Sequence, residues 1–237
     1  MKALFHCFVN FIYQIVRDKM LWAVCMAPIL TACFFYFGIP YAEMLLCDYF
    51  QRQEVLSGYY LLVDLVLILI TPYMFCFASA MVMLTEYDEN MAAYIAVTPV
   101  GKRGYILSRL VFPAVISFCA AVLLLHFFAL TDWPLWLLFM SCLLTSFLNV
   151  GMALLIFSFS HNRIEGMAMA KLSGLLLLGL PVPFFLSSPV QYLFSLLPSF
   201  WIAKLSLTHH PLFLFAAILS SLIWIGISYS KFDRKLT

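Results

Sequence analysis

Few residues in this chain of 237 have the types and spacing for chemistry. Asp64, His126 and Asn149 stand in otherwise apolar stretches, and an acid inside such a stretch is a functional candidate by default. If the three converged, they would suit an intramembrane enzyme acting on lipids. Asp64 falls about six residues inside an apolar run, roughly 9 Å from its end at about 1.5 Å per residue, so it can line a cavity or reach headgroups. Ser141, Thr145 and Asn149 recur at spacing four and form one small polar stripe. Such a stripe packs helices closely or lines a substrate path. His161 and Glu165 share helical spacing beside Arg163 and read as an ion-paired surface turn. His209 and His210 are adjacent, a poor arrangement for one metal, and read as a cap on the helix that follows. Gly226-Ile227-Ser228-Tyr229 is half of an intramembrane serine-protease motif, without its second glycine or a well-placed histidine. Neither HExxH nor GxxxxGK[ST] occurs, so no zinc-protease helix and no P-loop are present.

The densest charge lies in residues 85–109, TEYDENMAAYIAVTPVGKRGYILSR. Glu86, Asp88 and Glu89 open it; Lys102, Arg103 and Arg109 close it. Thr85 with Asp88 fits a capping box, which predicts a helix restarting there. Tyr87, Met91 and Tyr94 share a face, and Pro99 with Gly101 ends the helix. Lys102 and Arg103 then sit at headgroup level, and Tyr105 with Arg109 anchors the next apolar run. The island reads as a short helix held crosswise at a membrane surface, or as an ordinary turn between spans.

The elements that position these residues follow from composition. Hydrophobic residues make up 65% and charged residues 10% of the chain, and the mean hydropathy is +1.03. Soluble domains average about 45–50% apolar and about 25% charged, so lipid is the solvent here. Solidly apolar runs exclude a β-barrel. Six spans are predicted, at residues 20–37, 59–84, 106–130, 135–159, 172–188 and 211–229. With six spans, eleven Lys and Arg fall on one side, and only Arg52 and Lys204 on the other. The positive-inside rule then places both termini in the cytoplasm.

Residues 1–19 predict an interfacial helix, with His6, Asn10, Gln14 and Arg17 on a polar stripe and Leu4, Phe8, Phe11 and Ile15 on an apolar one. The linker 38–57 is acidic and suits an outer surface. Pro72 and Pro113 should kink spans 2 and 3, and Pro181 with Pro183 should bend or break span 5; all four are candidate hinges. Residues 189–210 are apolar but interrupted by Gln191, Pro198 and Lys204. A crossing there would reverse the charge bias of the tail, so they read as an outer re-entrant segment covered by protein. The seven cysteines form no CxxC pair and imply no disulfide framework. The bases serve as topology signals rather than as a nucleic-acid surface. The first nineteen residues are too polar for a signal peptide. No room is left for a soluble domain, so any energy source belongs on another chain.

The loop resembles that of type-2 ABC exporter permeases, whose residues after span 2 read like E-x-x-E-x-G-T…L-x-x-x-P-V-S…Y-L-x-x-K/R. Glu86, Glu89, Pro99, Val100, Tyr105 and Arg109 match; Asn90-Met91-Ala92 departs from E-G-T, and Gly101 replaces the serine. The likeness covers the whole chain and is nearest to the short, fluoroquinolone-type drug-export permeases. It implies an all-α polytopic membrane protein forming one permease domain over residues 1–237. Its six transmembrane helices would be joined by a surface helix (1–19), a cytoplasmic coupling helix (loop 85–105) and an outer re-entrant segment (189–210), with both termini inside. It implies a bacterial plasma-membrane half-transporter that pairs with a second permease, identical or not. A separate ABC ATPase subunit would carry the ATP and Mg, and this chain no cofactor. The ATPase would meet Glu86, Tyr87, Asp88, Glu89, Met91, Tyr94, Pro99, Lys102 and Arg103. The cargo would be an amphipathic drug, lipid or peptide. A non-catalytic immunity or assembly protein of the same fold is the alternative, ahead of the lipid enzyme.

Overall fold

A computed structural model describes residues 2–89, 91 and 101–235, and the described residues are helical with no strands. Six helical segments are long and apolar enough to cross a membrane: Lys19–Phe50, Ser57–Asp88, Gly104–Phe128, Leu135–Phe159, Arg163–Phe185 and Leu212–Lys235.

Helix α1 (Lys2–Arg17) has three faces rather than the two expected. Phe8, Phe11 and Ile15 pack into the bundle. Phe5, Val9, Ile12, Tyr13 and Val16 stay exposed on a second apolar face. Gln14 lies on the polar stripe between them and turns inward. Asp18 alone separates α1 from α2 (Lys19–Phe50) and caps α2 by accepting the N–H groups of Met20 and Leu21 at 2.9 and 3.3 Å.

Helix α2 runs straight through the predicted linker as far as Phe50, with Pro28 and Pro40 inside it. At about 1.5 Å per residue it is roughly 48 Å long, against a hydrocarbon core of about 30 Å. The acidic character of residues 38–57 has a local use. Glu43 accepts the N–H groups of Val55, Leu56 and Ser57 at 3.2, 3.1 and 3.1 Å, and so folds the chain back toward the next helix.

Helices α3 (Tyr60–Asp88) and α6 (Leu135–Phe159) form the centre of the bundle and carry most of its buried side chains. Between them the chain forms α4 (Gly101–Ile106), a π turn (Leu107–Val111) and α5 (Phe112–Phe128). Pro72 stays inside an unbroken α3. The fifth span is broken as its prolines require: α7 (Arg163–Ser173), a 3₁₀ segment (Gly174–Gly179) and the short α8 (Val182–Phe185), with Pro181 and Pro183 at the start of α8.

Residues 189–210 do not form one long helix. A 3₁₀ segment (Pro189–Leu196) leads into α9 (Pro198–Thr208), whose Phe200, Ile202, Ala203 and Leu205 are buried under the bundle's own helices. Helix α10 (Leu212–Lys235) closes the structure against α6 and α9.

Candidate functional site

The bundle end that carries both α1 and the last turn of α10 gathers the charged groups. Glu86, in the last turn of α3, and Arg109, in the π turn, are each 1% exposed and form an ion pair. Arg109 grips the carboxylate with both arms of its fork, Nε to Oε2 at 3.0 Å and Nη2 to Oε1 at 2.5 Å. Its remaining arm donates to the Cys7 carbonyl of α1 at 2.9 Å, and Gln14 Nε2 donates to Glu86 at 3.2 Å. The rings of Phe11 and Tyr105 lie 5.1 and 5.7 Å from the guanidinium carbon. Arginine suits this position because its planar fork matches a carboxylate and is only weakly hydrated.

The backbone around Arg109 explains how it gets there. Pro113 has no N–H for the carbonyl four residues before it, which is that of Arg109. The Ser79 hydroxyl of α3 donates to that carbonyl instead. The π turn widens the helix at this point, a distortion that often marks functional sites. Pro113 thus begins α5 and replaces an intrahelical bond with a bond between helices.

A second pair, Arg163 with Asp18, ties the start of α7 to the α1–α2 junction, with about a third and a quarter of the side chains exposed. Partial burial would raise the Asp18 carboxyl. The hydrogen bond from Arg163, those from the N–H groups of Leu21 and Met20, and the Arg163 charge overcome this and hold it below its usual range. A cavity of about 400 Å³ lies between the two pairs, with Gln14, Asp18, Glu86, Glu89 and Arg163 on its walls.

These placements revise the predicted contact surface. Glu86 is withdrawn from it, because a carboxylate buried in an ion pair cannot also meet a second protein. Tyr87 is half-buried, its ring edge-on to Phe157 at 6.0 Å. Thr85 starts no new helix; its hydroxyl bonds back to the Met81 carbonyl at 3.0 Å within a continuous α3. Asp88, Glu89 and Met91 are exposed, and Asp88 also accepts the Arg163 main-chain N–H at 3.4 Å. Tyr94 and Pro99 lie outside the described residues, as do the side chains of Lys102 and Arg103.

The other polar candidates hold structure together. Asp64, 1% exposed, accepts from Leu130 N at 2.9 Å, Thr131 N at 3.0 Å, Thr131 Oγ1 at 2.6 Å and Trp133 Nε1 at 3.0 Å. It clamps the turn between α5 and α6. Asn149 bonds the Leu69 and Thr145 carbonyls, Thr145 bonds the Cys142 carbonyl, and Ser141 meets Ser206 of α9 at 3.3 Å. His126 is exposed beside Phe127. Asp64, Asn149 and His126 therefore serve separate contacts. In the surface turn, Glu165 accepts the His161 main-chain N–H at 2.7 Å, and Arg163 takes Asp18 as its ionic partner.

The family model described as "Fluoroquinolones export permease protein Rv2686c-like" matches residues 11–229. The chain belongs to this family. Two curated relatives from Mycobacterium tuberculosis carry the same description, Rv2686c of strain ATCC 25618 / H37Rv and MT2760 of strain CDC 1551 / Oshkosh. Each is 29% identical over 197 residues, covering 79% of this chain and 75% of the relative. The protein is accordingly a multi-pass membrane permease of an exporter. In this permease the buried Glu86–Arg109 pair joins both ends of the link between spans 2 and 3 to the N-terminal helix. The pair has a partial sequence signal, since both residues match the exporter loop pattern. Gln14, Cys7 and Ser79 complete the cluster from distant segments, and no local pattern marks them.

Proposed function

We propose that this permease is the membrane half of an ATP-driven exporter. Two permease chains form the path, and a separate ABC ATPase, carrying ATP and Mg, docks on the cytoplasmic link between spans 2 and 3. Both termini lie in the cytoplasm, and the protein resides in a bacterial plasma membrane. The relatives' names make fluoroquinolones the first cargo to test, within the wider class of amphipathic drugs.

One observation supports the coupling reading above the rest: the two ends of the link are locked together by a buried, bidentate ion pair. A push on the exposed Asp88, Glu89 and Met91 then moves α3, the π turn and α1 as one body. Flexible ends would absorb the same push. The ATPase acts by preferring one arrangement of these spans over the other. Asp88 and Glu89 give the docking surface its negative charge.

The test is co-purification with the cognate ATPase and fluoroquinolone flux into proteoliposomes. Glu89→Lys is exposed, so it should leave the melting temperature unchanged while cutting ATPase binding and flux about tenfold. Unchanged binding and flux in Glu89→Lys would defeat the docking assignment. Flux that proceeds without any ATPase would defeat the ATP-driven reading itself.

A further inference from the structure

We propose that the cleft between the ends of α6 and α10 holds the phosphate headgroup of an anionic phospholipid. The cleft encloses about 280 Å³, and Lys231, Arg234, Lys235 and His161 stand on its walls. At about 100° per residue, Lys231, Arg234 and Lys235 fall within one arc of α10, and Asp233 points to the opposite side.

The three bases are set up differently. Lys235 is half-buried and fixed. Its ammonium donates to the Phe157 carbonyl at 2.7 Å and to that of Ser160, and it lies 4.3 Å from the Tyr87 ring centroid. Lys231 rests 3.8 Å above the exposed Phe159 ring, and Arg234 is exposed. The ion pairs Arg109–Glu86 and Arg163–Asp18 lie elsewhere and involve none of these three bases. The nearest acids, Asp88 and Glu165, act on Lys235 through space, but each accepts a main-chain N–H of the 161–163 turn. An ammonium has three donors, and carbonyls neutralise no charge. The cleft therefore carries three bases at a helix-bundle edge, with only Lys235 within the field of Asp88 and Glu165.

A lipid suits it better than a free anion because of what lies beside it. Ile227 and Ile223 are exposed on the same side of α10, one and two turns before Lys231. A phosphate in the cleft would lay its acyl chains along them. Basic pockets between membrane helices recognise headgroups in this way. The inference does not rest on ATP coupling, since a permease that bound no ATPase would still retain the lipid.

Native mass spectrometry of the full chain, released from detergent containing phosphatidylglycerol or phosphatidylcholine, tests it. Wild type should retain phosphatidylglycerol at least tenfold better. Lys231→Ala with Arg234→Ala should bring the two lipids to parity, at about fivefold per base. Both sites are exposed, so melting should change little, and Lys231→Arg with Arg234→Lys should keep the preference. Equal retention of both lipids by wild type would overturn the proposal and leave the cleft to an acidic protein segment. An undiminished preference in the double alanine variant would also overturn it. Displacement of the lipid by millimolar inorganic phosphate would overturn the lipid assignment in favour of a soluble anion.

Discussion

Glu86→Leu is the sharpest perturbation of the buried cluster. It leaves the Arg109 guanidinium 1% exposed without its anion. The Cys7 carbonyl at 2.9 Å and the Phe11 and Tyr105 rings remain as partners, but none carries charge. Removing one partner of a buried pair costs about 3–5 kcal/mol. The surviving ring contacts, at about 0.5–2 kcal/mol, are already present in the wild type and offset none of it. For a chain of this size each kcal/mol moves Tm by about 2–4 °C, so Glu86→Leu should melt roughly 6–20 °C lower. Arg109→Met alone should be comparably damaging. The combination should recover most of the loss, because a fully apolar replacement removes both desolvation penalties. Fluorescence-detected gel filtration after heating, on all four proteins, reads the cycle. If the single variants lose less than about 1 kcal/mol, or the double variant loses the sum of both, the pair is not the lock described here.

Three other outcomes follow from local geometry. Ser79→Ala should cost about 1–2 kcal/mol in Tm measurements, by orphaning the Arg109 carbonyl; in a Pro113→Ala background, where a helical N–H returns, it should cost much less. Gly179→Ala places a Cβ 2.8 Å from the Phe200 backbone nitrogen and 2.6 Å from Ser199 Oγ, so the 3₁₀ segment must move off α9; a loss of about 1–3 kcal/mol is expected by thermal melting. The Asp18–Arg163 pair stabilises in full above the ordinary Asp18 value of 3.8, and this is lost as pH falls through its lowered folded value. Solvent screening keeps the gain under about 1 kcal/mol. The small Tm gap between wild type and Arg163→Ala should therefore be constant near neutrality and close in acid.

Much of the fold is legible because lipid imposes it locally. Long apolar runs and the paired prolines of span 5 each act within one helix. The misreadings arise where a distant partner decides. Glu86 belongs by spacing to an acidic surface cluster, yet Arg109, 23 residues on, and Gln14, 72 residues back, draw it inside. Thr85 fits a cap, but its hydroxyl can bond the preceding turn as readily, and packing keeps α3 continuous. The first span reads as ending at residue 37, but α2 carries on to Phe50, where Glu43 accepts the backbone donors of the 55–57 turn. A wheel of α1 does hold its second apolar face, Phe5, Val9, Ile12 and Val16, though a two-stripe reading hides it.

The three-faced α1 also bears on how the molecule is made. It is synthesised before the spans it packs against, and the Arg109 side chain that bonds its Cys7 carbonyl comes 102 residues later. At about 5–20 residues per second, α1 waits for roughly 5–20 s. Until then the face carrying Phe8, Phe11 and Ile15 lacks part of the packing it has in the folded bundle. When Arg109 arrives, that face completes its packing, and the face with Phe5, Val9 and Ile12 stays exposed. A guanidinium with no Glu86 and Gln14 assembly to enter would be left exposed to hydrocarbon. The ion pair and the Cys7 bond thus form together only once α1, the end of span 2 and the start of span 3 have met.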